Sequence, residues 1–541
     1  MRKSKTVDKV PFLAPDVETK IIPSPTDGWD AISPLAEMDP KRAPILQNWV
    51  PRPGYVEVRE GYFPWNKPTT VPVETLMIYR SPTGETLFAV SGANIYDVSN
   101  TSVSAVQTLP EGLGSARMQY TNFTPSGAAT VLQCCNGVDL LLQWNGIVWS
   151  NPAVTDLPSG FSSTASIINI YAAKQRLWYV FKNSTIVGFL DTATVSGSLN
   201  SGGGGTQDFG PLFTKGGYLV AVADWTIDGG NGPQDYVAFI SSRGQIALYG
   251  GTDPTNASAW TLVGVFNLAP PMGYRCAYSI GSDVALITQQ GVLPISQALP
   301  FDPSADRSVA ITARIQNAMA QAAMIGADLF GWQLMTFPLQ QLLILNVPIS
   351  ENETQVQFVM NTLTGAWCKF TGWNANCFEI FNNNLYWGDN NGYVNQGYSG
   401  LADGQLPVNI DMQCAFNWFD EPGKEKRMTM IQPLLTTEGN ISPTLGVDTD
   451  FGTSTATNLL TITQSGALWD VAIWDSSLWP TGATIYAKWL TVLAVGHCFA
   501  ARINTSLPVT GVGTSLFDTA LFDIATFDGA TNGTAITLQV N

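Results

Sequence analysis

Short apolar runs separated by clusters of Asn, Asp, Gly, Ser and Pro recur along this chain, and the stretch Cys377–Gly400, CFEIFNNNLYWGDNNGYVNQGYSG, displays the unit most plainly. Phe378–Phe381 and Leu385–Trp387 are rich in β-formers, Asn382-Asn383-Asn384 and Asp389-Asn390-Asn391-Gly392 supply turn residues between them, and Tyr393–Tyr398 closes a β-meander. One meander buries little, so several must stack as a barrel, a sandwich or a propeller. The pattern starts at Glu74 with TLMIYR, ETLFAV and IYDVSN, and returns as MQYTNF, ATVLQCC, RLWYVF, YLVAVADW, YVAFISS, QIALYGG, DVALITQQ, QLLILNVPI and TQVQFVMN. Roughly 325 residues at about 40 to 45 per blade give about seven units. The expected fold is therefore all-β: a β-propeller of about seven blades over residues 63–400.

One segment breaks the period. Ser304–Ile325, SADRSVAITARIQNAMAQAAMI, lacks Gly and Pro and is rich in Ala, Gln and Met, which predicts an inserted helix capped by Ser304, with Ile311, Ile315, Ala318 and Ala322 on one apolar face. It is either a packed crossover between blades or an element facing neighbouring subunits or a channel. In the second case Arg307, Arg314, Gln316 and Gln321 are the contact candidates.

The flanks read differently. Pro11, Pro15, Pro23, Pro25, Pro34 and Pro40 remove ladder donors, so residues 1–62 are expected to form an extended arm over another surface, ending in an anchor of Trp49, a Pro-Arg-Pro-Gly turn with Arg52, and an alternating strand Tyr55–Arg59. Residues 401–541 are expected to form a smaller, β-sandwich-like domain. Two of its strands flank Asp420-Glu421-Pro422-Gly423, the second carrying Lys424, Lys426 and Arg427, and a Trp-rich stretch follows with Trp469, Trp474, Trp479 and Trp489. Phe517-Asp518, Phe522-Asp523 and Phe527-Asp528 repeat every five residues, a step that does not keep one helical face.

Composition narrows function more than fold. A net charge of −16 and a pI near 4.4 exclude tight nucleic-acid binding, which needs Lys and Arg to release counterions. Seven cysteines without Cys-x-x-Cys spacing read as buried reduced thiols, and neither a secretory signal nor a membrane anchor is expected. The single histidine, His497, sits in LTVLAVGHCFAARI, which reads as core strand, so a core or interface histidine is expected, and no nucleophile elbow accompanies it. Asp448-Thr449-Asp450-Phe451-Gly452 and Asp389–Gly392 lack the distal Glu of a calcium loop and read as turns. Asp224, Asp235, Asp283 and Glu379 lie near strand ends, where a propeller glycosidase would place paired acids, yet no motif selects them. No cofactor, metal or catalytic residue is expected, and the chain reads as a non-enzyme.

Leu46–Tyr62 (LQNWVPRPGYVEVREGY), Gly388–Gln396 (GDNNGYVNQ), Phe419–Met428 (FDEPGKEKRM), Trp469–Pro480 (WDVAIWDSSLWP) and Lys488–Ile503 (KWLTVLAVGHCFAARI) together resemble the tail nozzle proteins of short-tailed bacteriophages, the tail tubular protein B-like family of podoviruses. The segment from Val509 departs from that pattern. The resemblance implies a virion protein at the distal end of the tail, assembled in the bacterial host cytoplasm into a homohexameric ring that docks on the tail adaptor, contacts tail fibres or spikes, and encloses and gates the channel through which genomic DNA leaves without sequence-specific binding. Trp49, Arg52, Lys424, Lys426, Arg427 and Trp474 are the assembly candidates. An acidic wall suits such a conduit, because it repels phosphates and gives DNA no resting place; Lys and Arg are then expected at subunit contacts. A receptor- or carbohydrate-binding propeller of a phage tail is the alternative, and an internal scaffold or plug remains open beside it.

Overall fold

The computed structural model describes residues 18–101, 106–108, 112–228, 233–298, 309–437, 443–453, 458–459, 484–506 and 539–540. Strands dominate, and seven of them, Val73–Ser81, Gln119–Phe123, Ile167–Ala173, Leu219–Asp228, Ala277–Ile280, Gln333–Phe337 and Ala375–Phe381, stand side by side in a closed ring. Each begins a meander running outward, which makes the molecule a β-propeller. Six of these meanders form blades with a sheet of their own: five of four strands, the last completed by an N-terminal strand, and one of three at Ala277–Pro294. The expectation of about seven separate blades is corrected in one respect. The ring's remaining sector, Gln333–Phe337, Leu342–Ser350, Thr354–Asn361 and Trp367–Phe370, is no separate blade but the first four strands of a nine-stranded sheet.

That sheet continues through Ile45–Gln47, Asn409–Gln413, Phe499–Ser506, Thr444–Thr449 and Asn458–Leu459. Gln47 pairs in parallel with Lys369 on one side and antiparallel with Asp411 on the other. The N-terminal segment is thus a central strand joining ring to C-terminal segment. A second N-terminal strand, Tyr62–Asn66, pairs with Val394–Gly397 as the outer strand of the last blade and closes the circle. The expected divisions after residues 62 and 400 therefore do not separate sheets: the first falls within the Tyr62–Asn66 strand, and C-terminal strands extend a sheet of the ring.

The arm also turns inward. From Ile22 on, part of it packs on its own chain: Ile22 is buried in the main core, Gly28–Trp29 pairs with Arg42–Ala43, and Trp29 meets Phe358 edge-on at 5.3 Å. Its prolines forbid a regular ladder, but their apolar rings and neighbours still need cover.

Local turn chemistry behaves as the residues dictate. Asn382 and Asn383 both take positive φ, 48° and 64°, the pair a two-residue type I′ turn requires, and Phe381 pairs with Asn384. Gly61 is needed for close approach, since a Cβ there would lie 1.9 Å from the Ala402 carbonyl oxygen.

The helix is shorter than expected. Ile311 donates its amide to the Val292 carbonyl, and Thr312 accepts the Val292 amide through its hydroxyl, so this stretch is held as an edge on the Gly291–Pro294 strand. Helix begins only after it, as a 3-10 turn Ala313–Ile315 running into an α-helix, Gln316–Gly326. Ile315, Met319, Ala322 and Ala323 bury one face in the core that holds Leu343, Leu345 and Val347. This is a packed crossover. The Ser304 cap lies outside the described residues.

Candidate functional site

The seven inner strands enclose an axial cavity of about 520 Å³ to which every sector contributes a lining residue. Such a volume suits a small organic molecule. Across it, Tyr120 of the second blade donates its hydroxyl to Glu379 Oε2 of the last blade at 2.5 Å. Burial raises the Glu379 carboxyl above its ordinary value, against the opposing effects of the Tyr120 hydrogen bond and of Arg80 and Arg275 nearby. Burial first, then the facing carboxylate, pushes the Tyr120 phenol well up. At one end Arg80 pairs with Glu85 at 3.1 Å, its side chain 51% exposed, so the cavity meets the surface there.

Arg275 supplies the other charge. Just before the Ala277–Ile280 strand, it donates through Nη2 to Thr75 Oγ1 at 2.7 Å, to Met118 O at 3.2 Å and to Glu74 O at 3.3 Å, bridging the first two blades. Its guanidinium lies 5.0 Å from the Phe330 ring, which also carries Arg117 at 4.5 Å; Arg117 in turn pairs with Glu74 at 3.0 Å and with Glu351. Nη1 is buried without an acceptor, and burial lowers the Arg275 pKa.

The acids named from sequence do not converge. Among the described residues, Glu379 is the one acidic residue lining the cavity. Asp283 accepts from the Val284 and Ser296 amides and the Ser296 hydroxyl, holding a turn. Asp235 accepts from the Thr226 hydroxyl and lies 3.6 Å from Lys174, with Asp224 beside them, half-buried and raised by desolvation. A glycosidase pair needs a second carboxyl within roughly 5 to 9.5 Å of the first in the same cleft. Glu379 has none among the cavity's lining residues. Among the described residues no three His, Cys, Asp or Glu cluster to hold a metal.

The assembly candidates divide. Trp49 is fully buried in the main core, and Arg52, also buried, pairs with Glu57 at 2.6 Å and donates to the Gln340 carbonyl and side chain; neither is free at the surface for a partner, because both close the Trp49–Arg52 and Tyr55–Val58 hairpin onto the body. Lys424 is exposed and pairs with Glu421 at 2.5 Å, Lys426 reaches the His497 carbonyl at 2.9 Å, and Arg427 is exposed opposite Val495. Trp474 and Arg307 lie outside the described residues. On the helix, Gln316 is buried and donates to Gln290 O at 2.7 Å, so it cannot face a channel, whereas Arg314 and Gln321 are exposed.

Sequence reasoning missed an apolar surface and Arg275. Leu490–Gly496 pairs with Lys426–Ile431 in a two-stranded sheet; Val492 and Ala494 face the core, while Leu493 (74% exposed) and Val495 (54%) face out. Ile485, Trp489 and Met430 are also exposed. The run LTVLAVG is apolar on both faces, a pattern that reads as core and gives no sign that one face is open. Of the core or interface position expected for His497, the core is corrected: the side chain is half-exposed in a turn where its amide donates to Asp450 Oδ1 at 2.8 Å. For Arg275 the available signal was a cation beside the apolar run Cys276–Ile280 in a chain only 13% charged.

No family model and no curated protein matches the sequence. Among solved structures the chain is similar to BBS1N in complex with ARL6DN, in lead-soaked and mercury-soaked crystals, at 10% identity, covering 65% of this chain and 98% and 97% of the other, with TM-scores of 0.39 and 0.41. It is also similar to an exo-beta-1,3-galactanase from Phanerochaete chrysosporium solved with beta-1,3-galactotriose, at 9% identity over 90% of this chain and 99% of that one, with a TM-score of 0.23. The propeller is evident in the order of the sheets, independently of these distant likenesses.

Proposed function

We propose that this propeller chain is a structural subunit of a short phage tail, a nozzle protein that joins copies of itself into a ring around the DNA exit channel and docks on the tail adaptor. The observation carrying the proposal is the open apolar face of the Lys426–Ile431 and Leu490–Gly496 sheet, built from Leu493 and Val495 with Met430 nearby and edged by Arg427. An apolar face on an acidic chain calls for a protein partner, and its cation fits the acidic surface of another copy. Duplex DNA cannot use the propeller axis, whose cavity holds only a small molecule. On this reading the channel lies between copies. The sheet shared by the N-terminal, ring and C-terminal segments supports the role too, because it couples load from one end of the subunit to the other through backbone hydrogen bonds.

Light scattering and negative-stain imaging of the purified chain, alone and with the tail adaptor, test it. A six-fold ring that Leu493→Asp with Val495→Asp abolishes is the expected result. A wild-type chain that stays monomeric and never joins the adaptor would overturn the proposal. The alternative, a receptor- or carbohydrate-binding propeller, draws on the cavity with its Tyr120–Glu379 pair, and glycan binding by the monomer would favour it.

A further inference from the structure

The outer strand of each propeller blade presents an edge on which another chain can build unless something blunts it. Among the described residues most of these edges are blunted. Val106–Gln107 and Trp149–Ser150 are two residues long, Gly205–Asp208 ends in an acid, and Tyr62–Asn66 contains Pro64. The Gly291–Pro294 edge is taken by Ile311 and Thr312, and Trp367–Phe370 is covered by Gln47. The fourth blade differs. Its outer strand, Trp260–Asn267 (WTLVGVFN), is eight residues long with no charge and no proline, and it pairs with Gln245–Gly251 on one side alone. Just beyond it, Leu268 donates to the Gly244 carbonyl at 2.7 Å, so alternation along the antiparallel ladder turns the main-chain N–H and C=O of Val265 and Asn267 outward. A bulge at Val263 leaves that stretch regular, and the exposed Leu262 and Val263 give the edge an apolar border.

The edge is also polarised. Asp235 and Asp253, each facing one cation of its own chain yet 49% and 41% exposed, lie at the Trp260 end, where Tyr236 pairs with Gly250 and Gly251 with Trp260. Lys215 and Arg243, both exposed, lie at the Asn267 end beside Gln245. On the open C-terminal sheet, Lys426–Ile431 pairs with Leu490–Gly496 alone and keeps a free edge of its own, with Lys426 and Arg427 at its start. Laid alongside Trp260–Asn267 in the same direction, it sets those cations against Asp235 and Asp253. Laid the opposite way, it would set them against Lys215 and Arg243.

We propose that the Lys426–Ile431 strand of one copy adds in parallel to the Trp260–Asn267 edge of the next, bringing the Leu493 and Val495 face onto Leu262 and Val263. The inference rests on the nozzle reading and supplies what a ring needs, because a head-to-tail contact joins two different patches and leaves one of each free until the circle closes.

Light scattering on two variants and their equimolar mixture, without and with the tail adaptor, tests it. Leu262→Lys places a charge on the receiving edge, and Leu493→Asp with Val495→Asp spoils the donating sheet; each should be monomeric alone. Mixed, they retain one sound edge and one sound sheet, so a two-copy complex and nothing larger should form. Val265→Pro removes an outward donor and no hydrogen bond of the blade, and it should act as Leu262→Lys does. Wild-type rings that Leu262→Lys and Val265→Pro leave intact overturn the inference while the nozzle reading stands. A mixture that stays monomeric where the wild type forms rings does the same. A wild-type chain that stays monomeric with and without the adaptor overturns both.

Discussion

Replacing Arg59 with Met should be among the most damaging single changes in this chain. Arg59 follows the Tyr55–Val58 strand, and its side chain is 0% exposed. Its five N–H groups are all used: Nη1 and Nη2 grip Asp403 at 2.8 and 2.6 Å, Nε reaches Asn48 Oδ1 at 2.9 Å, and the remaining protons go to the Glu60 and Thr371 carbonyls at 2.9 and 2.8 Å. The guanidinium also sits 4.9 Å from Trp373 and 5.6 Å from Phe370. One side chain thereby ties the N-terminal segment, the nine-stranded sheet's neighbourhood and the start of the C-terminal segment. Removing it leaves the buried Asp403 carboxylate with the Trp373 indole N–H at 3.3 Å as its remaining side-chain donor. Breaking a buried pair from one side costs about 3 to 5 kcal/mol, a large part of the about 5 to 15 kcal/mol that separates folded from unfolded protein. The assay is urea unfolding followed by intrinsic tryptophan fluorescence and by far-UV circular dichroism, reading the transition midpoint. Arg59→Lys keeps the charge but loses the fork and should fall between. Arg59→Met combined with Asp403→Leu removes both charges and should recover much of the loss. A single mutant within about 1 kcal/mol of wild type, or a double mutant no better than Arg59→Met, would refute the claim that the uncompensated carboxylate causes the damage.

Glu60 provides a pH test: burial, then the Glu57 charge, raises its carboxyl to about 7. A raised acid favours the folded state below its unfolded value near 4.5 and loses that contribution as pH climbs through 7, so Glu60→Gln should gain about 2 kcal/mol relative to wild type at pH 8, and little at pH 4, in the same unfolding assay, after discounting for partial exposure. Arg176, buried at the third blade, donates to the Leu190 and Gly203 carbonyls at 3.0 and 2.6 Å and pairs with Asp253 at 3.3 Å. Arg176→Ala should cost about 2 to 4 kcal/mol and speed hydrogen exchange in the Gly202–Gly205 loop before the rest of the blade. Asn383→Val, at φ 64°, should lower stability by about 1 to 2 kcal/mol with no change at the axial cavity, because a β-branched residue resists the left-handed turn.

Much of the ring was legible in the sequence, because a meander is a local object. Residues such as Asn382-Asn383 fix a turn through their own φ preferences, and runs such as Leu385–Trp387 declare strands through their own side chains, so the all-β propeller follows from neighbours in the chain. The buried state of the cysteines was legible in their odd number and in the absence of Cys-x-x-Cys spacing, and all seven are buried and free. Tertiary structure alone decided what depends on distant pairing. That Ile45–Gln47 lies between Trp367–Phe370 and Asn409–Gln413 cannot be read from three residues, since any short apolar strand can pair with any free edge. The helix start moved for the same reason: Thr312 hydrogen-bonds to a strand twenty residues away, and that bond outweighs helix propensity. The axial cavity assembles Tyr120, Arg275 and Glu379 from positions more than a hundred residues apart, and ring closure alone brings them together. Apolar periodicity told where chain could be buried; which apolar face stays open, as at Leu493 and Val495, was settled only when the other surfaces had found their partners.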